Sequence, residues 1–205
     1  MTFTRLTAGQ LDALKEISNI GMGHAATALS QLIGETILLR VPRVEVTDLA
    51  QVPEVLGGAE QVVVGITLQI LGDARGNILL IFPRESAHYL LSTLLGKQEK
   101  GLVMHELGVS ALKEVANILA SAYLNALGSL LKMTLIPSVP LLAFDMAGAV
   151  VDYVLIQLSQ AGDQALMVET EFHGRKSTEA VRGHFFLLPD PASLEVVLDA
   201  VGQHP

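Results

Sequence analysis

The sequence predicts an α+β fold made of two pseudo-symmetric, duplicated half-domains, with two long helices packed on a largely antiparallel β-sheet. Three observations predict it. The segment Ala13-Leu14-Lys15-Glu16-Ile17-Ser18-Asn19-Ile20 returns 98 positions later as Ala111-Leu112-Lys113-Glu114-Val115-Ala116-Asn117-Ile118, with six of eight residues identical. Each copy lies in a long stretch with the apolar spacing of a helix. Each is followed by short runs rich in Val, Ile and Leu, separated by turn residues, which read as strands.

The repeat extends beyond the helices and therefore sets the architecture. At the same offset Ala28-Leu29 matches Ala126-Leu127, Leu32 matches Leu130 and Pro42 matches Pro140. The offset then becomes 106, aligning Phe82-Pro83 with Leu188-Pro189 and Gly96 with Gly202. About eight extra residues are thus expected in the second half, best placed in the polar run from His173 to Glu179. The halves cover about 1–100 and 101–205. Only Lys97-Gln98-Glu99-Lys100-Gly101 joins them, with no Gly/Ser/Pro-rich linker, so the expectation is one domain over 1–205.

The elements follow in order. Thr7, with Gln10 three residues on, is a capping-box start for a first helix that runs to Ile33 and stops at Gly34. Its apolar stripe is Leu11, Leu14, Ile17, Gly21, Ala25, Ala28 and Leu32; Asp12, Glu16, Asn19 and Gly23 fall on the other side. Strands are expected at Ile37–Val46, Gln61–Leu71 and Asn77–Phe82, the last two joined by a hairpin turn at Gly72–Gly76. Glu85–Leu95 reads as a helix closed by Gly96. A second long helix covers about 104–132, with Leu112, Val115, Leu119, Ala126 and Leu130 inward and Ser110, Glu114, Asn117 and Ser121 outward. Strands near Leu141–Met146, Val151–Leu158, Ala165–Phe172 and His184–Leu188 follow, with a turn at 159–164 and a last helix from Ala192 to Val201.

Composition bounds the function. Half the residues are hydrophobic and mean hydropathy is positive, yet only 4% are aromatic and none is Trp, so the core is aliphatic. A net charge of −8 argues against nucleic acid, whose binding needs basic patches. With no Cys there is no disulfide, thiolate metal site or Cys nucleophile. No apolar signal core or run of about 20 uncharged apolar residues stands in the sequence, so neither secretion nor membrane insertion is expected. The expectation is a cytoplasmic monomer.

The repeated segment carries the chemistry. Residues three apart on a helix are neighbours, so Glu16 and Asn19 project together, as do Glu114 and Asn117. Asn inside a helix costs about 0.6 kcal/mol relative to Ala, and its reuse at the same place in both halves suggests a job. A carboxamide can both donate to and accept from a water, and a carboxylate can pair with a lysine. Neither is a nucleophile with an activating base. The pattern suits a pair that completes another protein's active site; the plain alternative is two solvated helix faces, made less attractive by the duplication. One turn further on, Gly23 and Ser121 leave room for a partner.

These residues resemble the family of CheC-type phosphatases, which includes CheC, CheX and FliY. Its pattern is Asp or Ser, three residues, Glu, two residues, Asn, twenty-two residues, Pro. Asp12, Glu16, Asn19 and Pro42 fit it, and so do Ser110, Glu114, Asn117 and Pro140. Length and the presence of two sites are most similar to CheC; CheX-like members keep one site and FliY-like members carry further segments. The resemblance implies hydrolysis of the aspartyl phosphate of the chemotaxis response regulator CheY. On that basis Asn19 and Asn117 orient the attacking water, Glu16 and Glu114 dock on a regulator lysine, and Asp12, Ser110, Pro42 and Pro140 support the motif. The chain needs no cofactor of its own, Mg²⁺ being expected on CheY. CheD is a further implied partner, with Asp145 in Phe144-Asp145-Met146-Ala147-Gly148-Ala149 as its candidate contact, against the reading of an acidic residue in a bend between strands. A competing reading is a non-enzymatic adaptor for phosphorylated CheY, CheD or the flagellar switch.

Other signals carry less. Gly21-Met22-Gly23-His24-Ala25-Ala26 fits a dinucleotide fingerprint but sits inside a helix pattern, not after a strand. The glycines better suit close approach of a neighbouring helix or a partner. The six histidines have no metal-ligand spacing.

Overall fold

A computed structural model describes residues 7–34, 36–96, 105–157, 164–174 and 181–190, together with 192, 193 and 196. The first long helix, α1, is Ala8–Ile33. Thr7 caps it as its spacing predicts: Gln10 N donates to the Thr7 hydroxyl at 3.2 Å, and Thr7 N donates to the Gln10 side chain at 2.9 Å. Gly34 ends it in the left-handed region at φ 73°. β1 (Ile37–Asp48) leads through a 3₁₀ turn at Leu49–Gln51 into a short helix, α2 (Val52–Val55). The hairpin β2 (Val62–Gly72) and β3 (Gly76–Pro83) and the helix α3 (Arg84–Leu95) complete the first half. The second half has α4 (Glu106–Leu131), β4 (Leu135–Pro137), β5 (Leu141–Met146), α5 (Ala147–Gln157), β6 (Gln164–Gly174) and β7 (Val181–Pro189).

The backbone repeats the 98-residue spacing. Helices α1 and α4 have 26 residues each and lie 98 positions apart at both ends. The span of β1 maps at the same offset onto β4 plus β5 together. The single strand and the broken pair differ at their prolines. In β1 the pairing register shifts between Arg40 and Arg43, around Pro42; in the second half the strand stops altogether before Pro140. Proline has no N–H for a ladder, so it marks a bulge or a break.

The seven strands form one antiparallel sheet in the order β1-β6-β7-β3-β2-β4, with β5 also on β2. The halves are interlocked. The first strand of each pairs with the other half's hairpin: β1 with β6, and β4 and β5 with β2. The hairpins meet at β3 and β7, where Leu80 faces Phe185. One sheet face carries α1, α3 and α4 over Val64, Ile66, Leu68, Ile78, Leu80, Phe82, Phe185 and Leu187. The opposite face packs Val63, Leu79, Ile81, Met167, Phe186 and Leu188 against Leu49, Val52 and α5. Strands covered on both faces explain the near-continuous apolar runs.

Several expectations need correction. Val151–Leu158 is not a strand: its β-branched residues suggest one, but Ala147, Val150, Val151 and Val154 recur at helical spacing and are all buried by α5. The region of α2 and the short β4 had no strong periodicity and were not anticipated. The extra residues of the second half do not fall in one place. β2 and β6 share a facing pattern at an offset of 102, so part of the insertion lies before β6, where α5 replaces the shorter 3₁₀ turn and α2. Phe82 corresponds to Leu187, not to Leu188, since Phe82 and Leu187 face the long helices while Leu188 faces α5. A one-residue slip puts a side chain on the wrong face of a sheet. In α1 the inward stripe is Leu14, Ile17, Ser18, Gly21, Met22, Ala25 and Leu29, while Leu32 is 55% exposed because the last turn overhangs the core. In α4 Ala126 and Leu130 are only half-buried, and Ala116, Ala120, Tyr123, Leu124 and Leu127 join the core. The linker 97–101, the turn at 159–163, the run 175–179 and most of Ala192–Val201 lie outside the described residues.

Candidate functional site

Two faces carry the candidate residues. On α1, Asp12, Glu16, Asn19 and Gly23 are all exposed and lie along one side of the helix. On α4, Ser110 and Glu114 are exposed, and Asn117 and Ser121 are half-buried. Helical geometry sets each Glu and its Asn about 5–6 Å apart at Cβ, a little under one turn. Among the described residues none of the four side chains has a hydrogen-bond or ion-pair partner, so each is free to engage an incoming group.

Packing behind α1 fixes which face points outward. Ser18 is fully buried, and its hydroxyl donates to the Leu14 carbonyl at 2.7 Å. It faces Tyr123 of α4, also fully buried, whose ring lies 4.8 Å from that of Phe185. Burial pushes the Tyr123 hydroxyl up to about 12, with the Ser18 hydroxyl pulling modestly the other way. The Tyr123 hydroxyl makes no well-formed hydrogen bond, so Ser18 is its polar neighbour rather than a full partner. At Gly21 the two helices touch through backbone: a Cβ there would stand 2.9 Å from the Tyr123 Cα. Glycine is required by that contact, which accounts for half of the discarded dinucleotide pattern. A Cβ on Gly23 would meet nothing within 4 Å. With Ser18 and Gly21 held inward, helical phase turns Glu16, Asn19 and Gly23 to solvent.

The prolines of the motif lie where the strand after each helix is interrupted, Pro42 exposed and Pro140 buried. They are parts of the scaffold and not of the exposed pairs. Around Pro140 the gap between β4 and β5 is closed by Ser138, whose N–H donates to the Gln69 carbonyl at 2.9 Å and whose hydroxyl accepts from Gln69 N at 2.8 Å.

Asp145 stands apart from both faces. It lies within β5, paired opposite Val63, and not in a bend; its Oδ1 accepts from Met146 N at 2.8 Å. It is exposed and lines a cavity of about 300 Å³ with Gly65, Thr67, Leu141, Ala149 and Tyr153. Leu141 and Tyr153 of this lining are exposed large hydrophobics, as is Val139, which lines a second cavity together with them. The equivalent surface in the other half is charged. There Arg43 pairs with Glu45 and Glu171 pairs with Arg182 at 3.6 Å, with the His173 ring 3.4 Å from the Glu171 carboxylate. Glu169 lies between Arg43 and His184 in the ladders. The two halves of the sheet thus differ, with one charged and one apolar outer face. Composition alone concealed this, because the contrast appears only after strands far apart in sequence are placed side by side.

No described helix is long and apolar enough to cross a membrane. Among the described residues no group of three or more acidic or His side chains is placed to hold a metal ion.

The chain matches the CheC-like family over residues 10–46 and 107–142, which contain both Glu–Asn pairs and both prolines. The CheY-P phosphatase CheC of Bacillus subtilis (strain 168) is 36% identical over 203 residues, covering 98% of this chain and 97% of that one. Among solved structures, FliY of Thermotoga maritima superposes with a TM-score of 0.77 at 20% identity, covering 98% of this chain and 100% of that chain. A chain of the FliM–SpeE complex of H. pylori gives 0.71 at 13% identity, covering 97% of both. The structural matches establish the fold; the near full-length identity, with both motif copies inside the matched segments, shows that the chain belongs to the CheC-like family.

Proposed function

We propose that this protein hydrolyses the aspartyl phosphate of CheY and does so at two sites, Glu16–Asn19 and Glu114–Asn117. The observation that carries this reading is the same unpartnered Glu–Asn pair presented outward on two equivalent helices, in a chain 36% identical to a CheY-P phosphatase. The regulator brings the phosphoaspartate and its own Mg²⁺. Glu16 or Glu114 pairs with a lysine of the regulator and sets the helix in register. Asn19 or Asn117 then enters beside the phosphoryl group. Its carboxamide oxygen accepts from a water and its NH₂ donates to a phosphoryl oxygen, which aligns the water with the phosphorus. Water oxygen bonds to phosphorus, the bond to the aspartate oxygen breaks, and the carboxylate and inorganic phosphate leave. Phosphoryl transfer of this kind is governed by positioning and electrostatics, which a carboxamide on a rigid helix can supply. On this reading the protein works in the cytoplasm as a monomer.

CheD is proposed as the second partner, docking on the apolar outer face around Asp145. The cavity there and the exposed Leu141 and Tyr153 support a protein contact.

The test is the decay of phosphorylated CheY from the same organism, with and without the protein and with an Asn19→Ala/Asn117→Ala double variant. Faster decay that vanishes in the variant supports hydrolysis through the two carboxamides. Binding without acceleration would leave the adaptor reading in its place.

A further inference from the structure

We propose that a groove beside α1 is a docking determinant for the phosphorylated regulator at the first site only; this rests on the phosphatase reading above. The groove is a shallow, open trough of about 690 Å³ between the C-terminal half of α1 and the start of β1, walled by Gly23, Ala26, Thr27, Ser30 and Leu38 among others. Gly23 belongs to it and lies one turn beyond Asn19 on the same exposed face, so the groove continues the candidate site without a gap. None of the described side chains lining it is charged. Leu38, 55% exposed, stands on its rim, and Ile20 on α1 is 46% exposed beside Asn19. The occupant that fits is an apolar side chain from the regulator's surface next to its phosphorylation site.

The second half shows how the groove arises, because the equivalent residues there differ. Ser30 acts as a wedge: its hydroxyl donates to the Ala26 carbonyl at 2.6 Å and accepts from Ile37 N at 2.8 Å, so β1 is tied to the helix through a side chain. The equivalent of Ser30 is Gly128, where a Cβ would stand 2.5 Å from the Met133 carbonyl oxygen; the segment leading to β4 lies directly on the helix backbone. The equivalent of Ala26 is Leu124, fully buried. A small residue plus a hydroxyl spacer leaves a groove, whereas a large residue plus no spacer closes it.

The experiment titrates CheY, activated with beryllofluoride as a phosphoryl mimic, onto the full-length protein. A Glu114→Arg background leaves the first site to be read, and Glu16→Arg leaves the second. Thr27→Trp fills the groove, and Leu38→Asp places a charge on its rim. Each is expected to raise Kd at the first site about tenfold, the scale of one apolar side chain left unburied. Ile136→Asp, at the position equivalent to Leu38, is expected to leave Kd at the second site within about twofold, because Leu124 and Gly128 replace the residues that hold the groove open. Unchanged Kd in both groove variants overturns the proposal, as does an equal loss from Ile136→Asp, which would mean a general apolar contact. Hydrolysis of phosphorylated CheY by the unsubstituted protein is followed in parallel, so failure of the phosphatase reading is seen separately from failure of the groove.

Discussion

The face on α1 and the face on α4 carry the same Glu–Asn spacing, yet they sit in unequal surroundings. Helix α1 packs on α4 and β1, and Asp12, Glu16, Asn19 and Gly23 all project into solvent. Helix α4 packs on α1, α3, β2, β4 and β5, and its Asn117 and Ser121 are half-buried. The more central helix holds its carboxamide among neighbours, and on the proposed mechanism a side chain with fewer rotamers to lose positions a water better. The more peripheral helix has the adjoining groove. The same Glu–Asn pair thus stands in two settings, and on the proposed mechanism these predict stricter positioning at the second face and a larger contact at the first.

The largest effect is expected where the comparison does not matter. Removing both carboxamides, Asn19→Ala with Asn117→Ala, should lower the rate of CheY-P decay about a hundredfold toward the unassisted rate, the scale of lost positioning. A double variant as fast as the unsubstituted protein would remove the carboxamides from the mechanism. The single variants then sharpen the difference. Asn117→Ala should lose several times more of kcat than Asn19→Ala, as measured under saturating phosphorylated CheY; the reverse order would show that half-burial hinders Asn117. Glu16→Gln and Glu114→Gln should chiefly raise KM, by about tenfold each, the scale of one charge-assisted hydrogen bond, with a smaller loss in kcat.

Two glycines break the comparison at the level of stability. Gly21→Ala pushes a methyl into the Tyr123 backbone and should cost about 1–3 kcal/mol in denaturant unfolding, disturbing both faces through the α1–α4 contact. Gly23→Ala meets open space and should stabilise by up to about 1 kcal/mol through helix propensity. The smallest effect concerns His184, whose place in the first half is taken by Leu79. Burial holds its pKa below the ordinary 6.5; the Glu169 carboxylate works against that and Arg182 with it. The native state therefore disfavours the protonated form, and stability should fall as pH drops below 6.5 toward the lowered value. His184→Leu should flatten that decline in thermal unfolding measured at several pH values.

Much of this was legible beforehand because it is local. The capping box at Thr7, the stop at Gly34, the hairpin at Gly72–Gly76 and the closing Gly96 each depend on residues within a few positions, and each stands where its chemistry predicts. The outward Glu–Asn pairs follow from helical phase alone. Long-range features were harder. The span of α5 reads as a strand because Val and Ile suit strands, and only packing on Leu49 and Val52 selects the helix. The off-by-one pairing of Phe82 was undetectable in a run of apolar residues buried on both faces, where alternation carries no signal.

Local order was enough for the 98-residue repetition, the two long helices, the caps of α1 and the outward side of each helix, because period and capping act over one or two turns. Tertiary structure alone decided the exchange of first strands between halves, the backbone contact of Gly21 with Tyr123, the groove held open by Ser30, and the separation of charged from apolar outer faces. These depend on which distant residues are brought together, and burial, unlike helical phase, is a property of neighbours that the chain does not carry in its local order.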